Sequence, residues 1–393
     1  MKVIIHRGTH QIGGCVTEIQ SNKGTRIIID IGENLPAEDG RNLPDIQVEG
    51  LNKEGKNVDA VFVTHYHGDH IGMFNKISSE IPIYVGEVSK EIYKILQKRL
   101  IKAKKSSKED LKLIDEFRTY KIPKKETIKD ISITPIEVDH SAFNSHMLLI
   151  ECDGKRLLHT GDFRTHGPRG KSVIPALEKY VGKVDCLICE GTTLSRKGQT
   201  LVKETELEEK AQEIFIKNKN TFVMCSSTNI DRIAILHKAA LKAGRLFVCD
   251  SYQKEMLMYI DSIAKSDLYK FKNKVLSYAE NIKEKMEKMG FVMLVRPNST
   301  SKKVMSYFPN HVFVYSQWEG YLDEKHKDQY SYLQEFVPKD YTYLHTSGHA
   351  NYEAIKKVCE TVKPKIVIPI HGENPEAFES MRARKQRNKN TKR

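Results

Sequence analysis

The stretch "VFVTHYHGDHIG", Val61 to Gly72, decides how the rest of the chain is interpreted. An apolar run leads directly into His65, His67, Asp69 and His70. Ordinary core packing requires no such concentration of imidazole and carboxylate groups, whereas both are ligands for zinc or manganese. Four ligand-capable residues within six positions therefore predict a metal site, and they suit two adjacent ions better than one.

Further polar residues stand at the ends of predicted strands far along the chain. Sites in α/β sheets usually lie at strand ends, so residues that share this placement are expected to converge. Three of them, His140, Asp162 and His371, are available to complete the coordination of two ions, and an Asp between the ions can bridge them. The strand-end residues are Asp30, His65, His140, Asp162, Glu190, His349 and His371.

Length and patterning predict the architecture. The 393 residues indicate two domains or one large domain with an insertion. Short apolar runs alternate with helical patterns, which predicts an α/β fold. Asp153-Gly154 predicts a two-residue hairpin turn, and Thr205 with Glu208 predicts a capping box at a helix start. Two of the seven scattered cysteines have C-x-x-C spacing within a predicted strand, so they face opposite sides and are interpreted as free thiols.

The charge balance favours a polyanionic partner. Lys and Arg number 64 against 51 acidic residues, a net charge of +13. Basic residues concentrate at Arg99–Lys108 and Arg382–Arg393, although each cluster alone also fits a solvated surface. No apolar run long enough to span a membrane and no signal peptide are recognised, so we expect a cytoplasmic protein without a membrane partner.

The metal-ligand motifs resemble a known family. "THYHGDH" is similar to the second motif of the metallo-β-lactamase fold. Asp30 matches the first motif of that fold, His140 the third, and Asp162 in "HTGDFR" the fourth.

Later motifs narrow the resemblance to the β-CASP nucleases. Glu190 in "CEGTTL" resembles their motif A, His349 in "HTSGHA" motif B, and His371 in "IPIHGE" motif C. "SSTNIDRI" resembles the corresponding stretch of ribonuclease J. A Glu at motif A is found in the RNA 3′-end cleavage endonucleases rather than in ribonuclease J, so the subfamily stays open.

The resemblance implies an α/β fold: an αββα metallo-β-lactamase sandwich of residues 1–200 and 341–393, with a β-CASP α/β domain, residues 201–340, inserted in it. It also implies two zinc ions, with manganese as the alternative. One ion would take His65, His67 and His140, the other would take Asp69, His70 and His371, and Asp162 would bridge them. Asp30 would orient the histidine motif from behind.

The implied activity is hydrolysis of RNA phosphodiester bonds by a water that two metals activate, in endonuclease mode, 5′-exonuclease mode or both. Asp69, Glu190 and His349 are the implied catalytic residues, with His349 as general acid held by Glu190. A His at motif C favours single-stranded RNA over DNA as the substrate. The protein could also form a homodimer. The candidates for substrate binding are Ser227, Asn229, Arg232 and Ser347. Ordinary helix capping explains the first three equally well.

Three other functions remain open from the sequence. The chain could be a DNA exonuclease, or a small-molecule hydrolase of the same fold, such as a thioester or lactam hydrolase. A non-catalytic RNA-binding subunit is the alternative from a different class, although the filled ligand positions argue against it.

Overall fold

The computed structural model of the chain describes residues 1–35, 45–195 and 202–379, so the predicted basic segment Arg382–Arg393 lies outside the described residues. The strands are β1 (Lys2–Arg7), β2 (Val16–Gln20), β3 (Arg26–Ile29), β4 (Ala60–Phe62), β5 (Ile83–Gly86), β6 (Arg118–Tyr120), β7 (Glu126–Ile128), β8 (Ile131–Val138), β9 (Ser145–Cys152), β10 (Lys155–His159), β11 (Cys186–Glu190), β12 (Asn220–Cys225), β13 (Leu246–Cys249), β14 (Val275–Ser277), β15 (Phe291–Leu294), β16 (Val312–Ser316), β17 (Thr342–Tyr343) and β18 (Ile366–Ile370).

The helices fill the connections between these strands. They are α1 (Gly68–Ile71), α2 (Glu87–Lys102), α3 (Lys108–Asp115), α4 (Val173–Tyr180), α5 (Glu204–Lys217), α6 (Ile230–Lys242), α7 (Ser251–Ile263), α8 (Lys283–Met289), α9 (Ser299–Ser306), α10 (Lys327–Gln334) and α11 (Tyr352–Val362). Across the three described ranges, none of the helices is both long enough and apolar enough to cross a bilayer.

Two six-stranded sheets form the first part of the fold. The first has the order β1-β2-β3-β4-β5-β6, antiparallel up to β3 and parallel from there on. The second has the order β18-β11-β10-β9-β8-β7, with β18, β11 and β10 parallel. Because β18 pairs with β11, the chain returns at residue 366 to a sheet that begins at residue 126.

The two sheets pack face to face through an apolar core. Ile27 and Phe62 of the first sheet lie in one buried cluster with Ile150 and Leu157 of the second. Full burial of side chains of this size is worth about 1.5–3 kcal/mol each. Since successive strand residues face opposite sides, each sheet also presents a second apolar face, which helices must cover.

Helices cover both outer faces, which completes the αββα arrangement. Ile92 of α2 packs in the same cluster as Val61, on the outer side of the first sheet. On the outer side of the second sheet, Leu177 of α4 and Val358 of α11 are buried in one cluster with Leu158. The predicted fold class is thereby confirmed.

A third sheet is built entirely from residues between 220 and 343. Its order is β14-β13-β15-β12-β16-β17, and every neighbouring pair is parallel. The central strand β12 is buried on both faces at Phe222 and Val223, as expected where helices cover a parallel sheet on both sides. The division into domains at 200/201 and 340/341 stays a prediction, although this sheet lies within the predicted insertion.

Two local predictions have different outcomes. Asp153 and Gly154 form the turn between β9 and β10 with φ of 52° and 66°, in agreement with the sequence. The predicted capping box is wrong, because α5 begins at Glu204 and no side chain caps its first turn. Glu208 instead pairs with Lys238 and Lys242 of α6, at 2.9 and 2.7 Å.

A buried ion network joins the third-sheet region to the metal-motif loops. Arg164 is fully buried and contacts Asp139 at 2.7 Å, Glu204 at 2.8 Å and Asp231 at 3.1 Å. Arg232, also fully buried, pairs with Glu204 at 2.9 Å. Since Asp139 precedes His140, the network fixes one predicted metal-ligand loop against α5 and α6.

Candidate metal centre and neighbouring catalytic pair

The predicted metal-binding residues converge on one edge of the two face-to-face sheets. Each follows the end of a strand directly or within three residues, apart from His67, Asp69 and His70, which lie on the turn after β4 and on α1. Of the predicted ligands, His65, His70, His140, Asp162 and His371 are buried.

The Asp162 carboxylate lies at the centre of the cluster. Its Oδ2 is surrounded by the imidazole nitrogens of four histidines, which come from three different segments of the chain. The distances to Oδ2 are 3.2 Å from His70 Nε2, 3.5 Å from His371 Nε2, 3.7 Å from His140 Nε2 and 3.8 Å from His65 Nε2. A carboxylate in this position can contact both halves of the site, as a bridging ligand must.

The remaining ligands separate into two groups around Asp162. His65, His67 and His140 present nitrogens that all lie within 4.8 Å of one another, with His140 Nε2 3.3 Å from His67 Nδ1. On the other side, Asp69 Oδ2 is 3.1 Å from His371 Nε2 and 3.9 Å from His70 Nε2. The assignment of one ion to each group stays a prediction.

Unpartnered polar atoms indicate that the cluster fits cations. His65 Nε2, His70 Nε2 and Asp162 Oδ1 are buried without a hydrogen-bond partner. Orphaned polar atoms are costly in a protein interior unless another group satisfies them. Imidazole nitrogens and carboxylate oxygens that share one space are the ligands that zinc or manganese accepts. The residues therefore fit metal binding.

The electrostatics of the cluster favour metal-binding forms at His65, His67, His140 and Asp69. At His70 and His371 the neighbouring carboxylates outweigh burial and raise the pKa, so these two imidazoles would release a proton on binding an ion. Burial lowers the pKa of His67 to about 4 and holds the pKa of His65 and His140 well below the ordinary value, which keeps these imidazoles neutral. Burial opposes ionisation of Asp69, but the neighbouring His70 and His371 lower its pKa below the ordinary value. Neutral imidazoles and ionised carboxylates are the forms that bind metal.

Hydrogen bonds on the side away from the cluster fix the orientation of the His70 and His371 imidazoles. His70 Nδ1 donates to Asp30 at 2.7 Å, and the other oxygen of that carboxylate accepts from the backbone N–H of Thr64 at 2.7 Å. His371 Nδ1 donates to Thr192 Oγ1 at 2.7 Å. In both cases the bond at Nδ1 leaves Nε2 directed at the cluster.

Asp30 contacts His70, and its orienting role stays a prediction, whereas Thr192 was not predicted at all. The sequence offers only a weak signal for Thr192, its position two residues after Glu190 in "CEGTTL". The carbonyl of Gly348, which accepts from His140 Nδ1 at 2.6 Å, could not be recognised from residue type at all.

Glu190 and His349 form a pair beside the metal-binding residues. His349 Nδ1 lies 3.1 Å from Glu190 Oε2 and 3.6 Å from Asp162 Oδ2. Glu190 is fully buried, and its Oε1 accepts from the backbone N–H groups of Phe163 at 3.0 Å and Ala350 at 3.3 Å. The carboxylate is thus held rigidly, whereas the His349 side chain stays 20% exposed and reachable by a substrate.

The four predicted substrate-binding residues have different surroundings. Asn229 Oδ1 accepts from the N–H of Arg232 at 3.1 Å and caps α6, which is the capping interpretation that the sequence left open. Arg232 is a correction: it is fully buried in the ion network and cannot reach a phosphate. Ser347 is buried, and its Oγ accepts from the N–H of His349 at 3.1 Å. Ser227 is half-buried, and its Oγ lies 3.4 Å from the hydroxyl of Tyr252.

Two family profiles match the chain. The metallo-beta-lactamase superfamily matches residues 16–186, and the Zn-dependent metallo-hydrolase RNA specificity domain matches residues 338–390. The first segment carries every predicted ligand except His371, and the second carries His371 together with His349.

Curated relatives carry names that agree with these matches. A ribonuclease J of Helicobacter pylori is 25% identical over 398 residues, which cover 93% of this chain and 55% of that protein. An RNase J-like protein of Methanocaldococcus jannaschii is 23% identical over 405 residues, covering 94% of this chain and 91% of the relative. The chain thus spans about half the length of the bacterial ribonuclease J that it matches.

A solved structure has the same fold over nearly the whole chain. A protein of unknown function from Enterococcus faecalis superposes with a TM-score of 0.74 at 21% identity, covering 95% of each chain. The chain is thus similar to the metallo-beta-lactamase superfamily over residues 16–186, and to proteins named ribonuclease J or RNase J-like over most of its length.

Proposed function

We propose that the chain is a metal-dependent ribonuclease that hydrolyses phosphodiester bonds of single-stranded RNA. One observation carries the proposal: seven candidate metal ligands, five of them buried, adjoin a carboxylate–imidazole pair that can move a proton. The RNA specificity match and the names of the relatives support RNA as the substrate class.

We assign two ions to the cluster, zinc first and manganese as the alternative. His65, His67 and His140 would hold one, Asp69, His70 and His371 would hold the other, and the Asp162 carboxylate would contact both, as its central position suits. Bound there, divalent ions would supply Lewis acidity that activates a water and offsets negative charge on the phosphoryl group.

The protein's own residues supply orientation and a proton. Asp30 and Thr192 hold the rings of His70 and His371, so the ligand nitrogens are aimed before any ion arrives. Glu190 accepts the Nδ1 proton of His349, which leaves Nε2 to donate a proton to the departing 3′-oxygen. Such a general acid has to stay accessible, in agreement with the partial exposure of His349.

RNA is expected to bind between the αββα part and the third-sheet region. The hydroxyl of Tyr66, which lies between His65 and His67 in sequence, donates to the carbonyl of Thr228 at 2.9 Å. The loop after β12 is therefore bonded to the residue that stands between two of the proposed ligands. A β-CASP domain of residues 201–340 and a homodimer remain parts of the proposal.

Digestion of end-labelled oligonucleotides tests the function. Purified protein supplied with zinc or manganese is incubated with single-stranded RNA bearing a 5′-triphosphate, a 5′-monophosphate or a 5′-hydroxyl, and with DNA of the same sequence. Cleavage of RNA that Asp69→Asn abolishes supports the proposal, and the product sizes separate endonuclease from 5′-exonuclease mode. Equal or faster cleavage of DNA favours a DNA exonuclease. Turnover of a thioester without cleavage of RNA favours a small-molecule hydrolase.

A further inference from the structure

The turn that carries His349 is held by its backbone carbonyl groups. Three consecutive carbonyls each accept a hydrogen bond from a side chain that belongs to a different segment of the chain. The pairs are Thr346 with Arg232 Nη2 at 3.2 Å, Ser347 with His166 Nε2 at 2.8 Å, and Gly348 with His140 Nδ1 at 2.6 Å. Because a turn has no strand or helix partners for its carbonyls, these side-chain donors decide where it lies.

Two of the three donors have another part in the structure. His140 is a proposed metal ligand, and Arg232 belongs to the buried ion network. Loss of either would therefore disturb more than the turn. His166 is half-buried, lies four residues after Asp162, and belongs neither to the proposed ligands nor to that network. It is the donor whose loss reports on the turn itself.

His166 is suited to donate a hydrogen bond rather than to act as a second general acid. Burial lowers its pKa to about 4, with a contribution from the charge of Arg164, so the imidazole is neutral near pH 7. A neutral imidazole has one N–H, which the bond to the Ser347 carbonyl assigns to Nε2. The carbonyl of His166 accepts from the N–H of Glu204 at 3.1 Å, which anchors His166 to the start of α5.

Ser347 passes this restraint on to His349. Its Oγ accepts from the backbone N–H of His349 at 3.1 Å, while its carbonyl accepts from His166. Gly348 also fits tightly, because a Cβ at this position would overlap the hydroxyl of Ser141. The backbone of His349 is therefore fixed on the side of the turn that His166 holds.

We propose that His166 is a positioning residue for the general acid. Its Nε2–H fixes the Ser347 carbonyl and thereby the turn from which the side chain of His349 reaches Glu190. This inference rests on the proposed function, because it assigns His166 to the proton-transfer step. Misplacement of a reacting group by about 1 Å can slow a reaction about 100-fold, so a modest shift of the turn is enough to matter.

Substitutions of His166 that differ in reach test the hydrogen bond. His166→Leu removes the donor, whereas His166→Gln places an amide N–H near the former position of Nε2. His166→Asn, whose amide is too short to reach Ser347, repeats the loss with a polar side chain in case the Leu variant does not fold. We expect single-turnover cleavage of RNA to slow by about 10- to 100-fold in the Leu and Asn variants and to recover in the Gln variant, with metal content unchanged in all three.

His311→Leu is the matched control. His311 is also half-buried, and its Nδ1 donates to the carbonyl of Phe308 at 2.6 Å, so the variant loses a bond of the same kind. His311 stands just before β16, outside the proposed metal centre and the His349 turn. Cleavage should therefore stay at the wild-type rate, and an equal loss in His311→Leu and His166→Leu would overturn the inference.

A double variant shows whether His166 acts through His349. In a His349→Ala background the general acid is already absent, so His166→Leu should slow cleavage no further. If His166→Leu slows cleavage by the same factor in this background as in the wild type, the two residues act independently and the positioning role is wrong.

Amide hydrogen exchange tests the turn without requiring activity. The N–H groups of His349 and Ala350 donate to Ser347 Oγ and Glu190 Oε1, so their exchange should quicken in His166→Leu and slow again in His166→Gln. Unchanged exchange at both amides, or loss of metal from His166→Leu, would overturn the inference. Faster exchange in the variant of a protein whose wild type cleaves no RNA would leave the anchoring of the turn standing and remove the proposed function.

Discussion

The side chain of His349 is joined to Glu190 across 159 residues of sequence, with Nδ1 3.1 Å from Oε2. The carboxylate is fully buried and bound by backbone N–H groups, whereas the imidazole is partly exposed. This asymmetry is what a proton donor requires, because one nitrogen is held and the other is free to meet a substrate. It also separates the pair from the buried imidazoles that surround Asp162.

Replacement of His349 by Ala should separate proton transfer from metal binding. We expect metal content to stay intact and single-turnover cleavage of RNA, with enzyme in excess, to slow by about 10²–10⁴-fold, the usual scale for loss of a positioned general acid. The position of His349 Nδ1, 3.6 Å from Asp162, would also suit a metal ligand, so metal is measured in parallel by elemental analysis. Loss of metal, or cleavage at the wild-type rate, would contradict the general-acid role.

Replacement of Asp162 by Ala should lower the occupancy of both metal positions. The Oδ2 atom of this carboxylate lies within 3.8 Å of imidazoles from both ligand groups, so its loss affects both. The matched comparison is Asp69→Ala. The Oδ2 atom of Asp69 contacts His70 and His371 of the second ligand group, so its loss should lower chiefly the occupancy of that position and abolish activity. Retention of full metal content by Asp162→Ala would show that the carboxylate is not shared.

The hydroxyl of Thr192 should matter for metal affinity although it binds no metal. Thr192→Val removes the group that orients His371 Nδ1 while nearly preserving side-chain volume. We expect metal affinity to fall about 10- to 100-fold, the range for loss of a group that orients a ligand. Thr192→Ser, which keeps the hydroxyl, should restore most of it. Competition with a chelator measures the metal affinity of both variants. Equal affinities of Thr192→Val and Thr192→Ser would argue against an orienting role.

The buried ion network should make the free energy of unfolding fall as the pH becomes acidic. Burial raises the pKa of Glu204, but Arg232 and Arg164 outweigh it and lower the value from 4.5 to about 2. The carboxylate is thus ionised more readily in the folded state, and its stabilisation is present above pH 4.5 and is lost as the pH falls towards 2.

Glu204→Gln tests this contribution against a control on the same helix. The variant leaves two buried guanidinium groups short of a partner, so at neutral pH it should lower the free energy of unfolding by about 3–5 kcal/mol. The exposed Glu206→Gln should change it by no more than about 0.5 kcal/mol. Urea unfolding at several pH values should show the Glu204→Gln deficit shrinking below pH 4.5. A deficit that is independent of pH would contradict the ionic interpretation.

Much of the site could be predicted because its chemistry is concentrated in the sequence. His65, His67, Asp69 and His70 lie within one turn, where few structural roles compete with metal binding. His371 lies about three hundred residues away and was found only because it ends an apolar strand within a family motif. In each case the residue type itself carries the chemistry.

The parts of the site that were predicted wrongly or not at all depend on tertiary contacts, which residue type does not encode. Arg232 follows a cap-like Asn and resembles a phosphate-binding residue in sequence, yet Glu204 from another helix buries and neutralises it. The same carboxylate explains the failed capping prediction, because Glu204 turns inward at the start of α5. The orienting bonds from Thr192 and the Gly348 carbonyl involve common groups whose neighbours are set by the fold.

The most direct measurement is RNA cleavage as a function of metal content in one preparation. Protein depleted by a chelator and reconstituted stepwise with zinc or manganese is assayed on labelled single-stranded RNA, with metal counted by elemental analysis. The proposed dinuclear centre predicts negligible cleavage in the depleted protein and full activity at about two ions per chain. Cleavage that persists undiminished after depletion, or that saturates with a single bound ion, would contradict it.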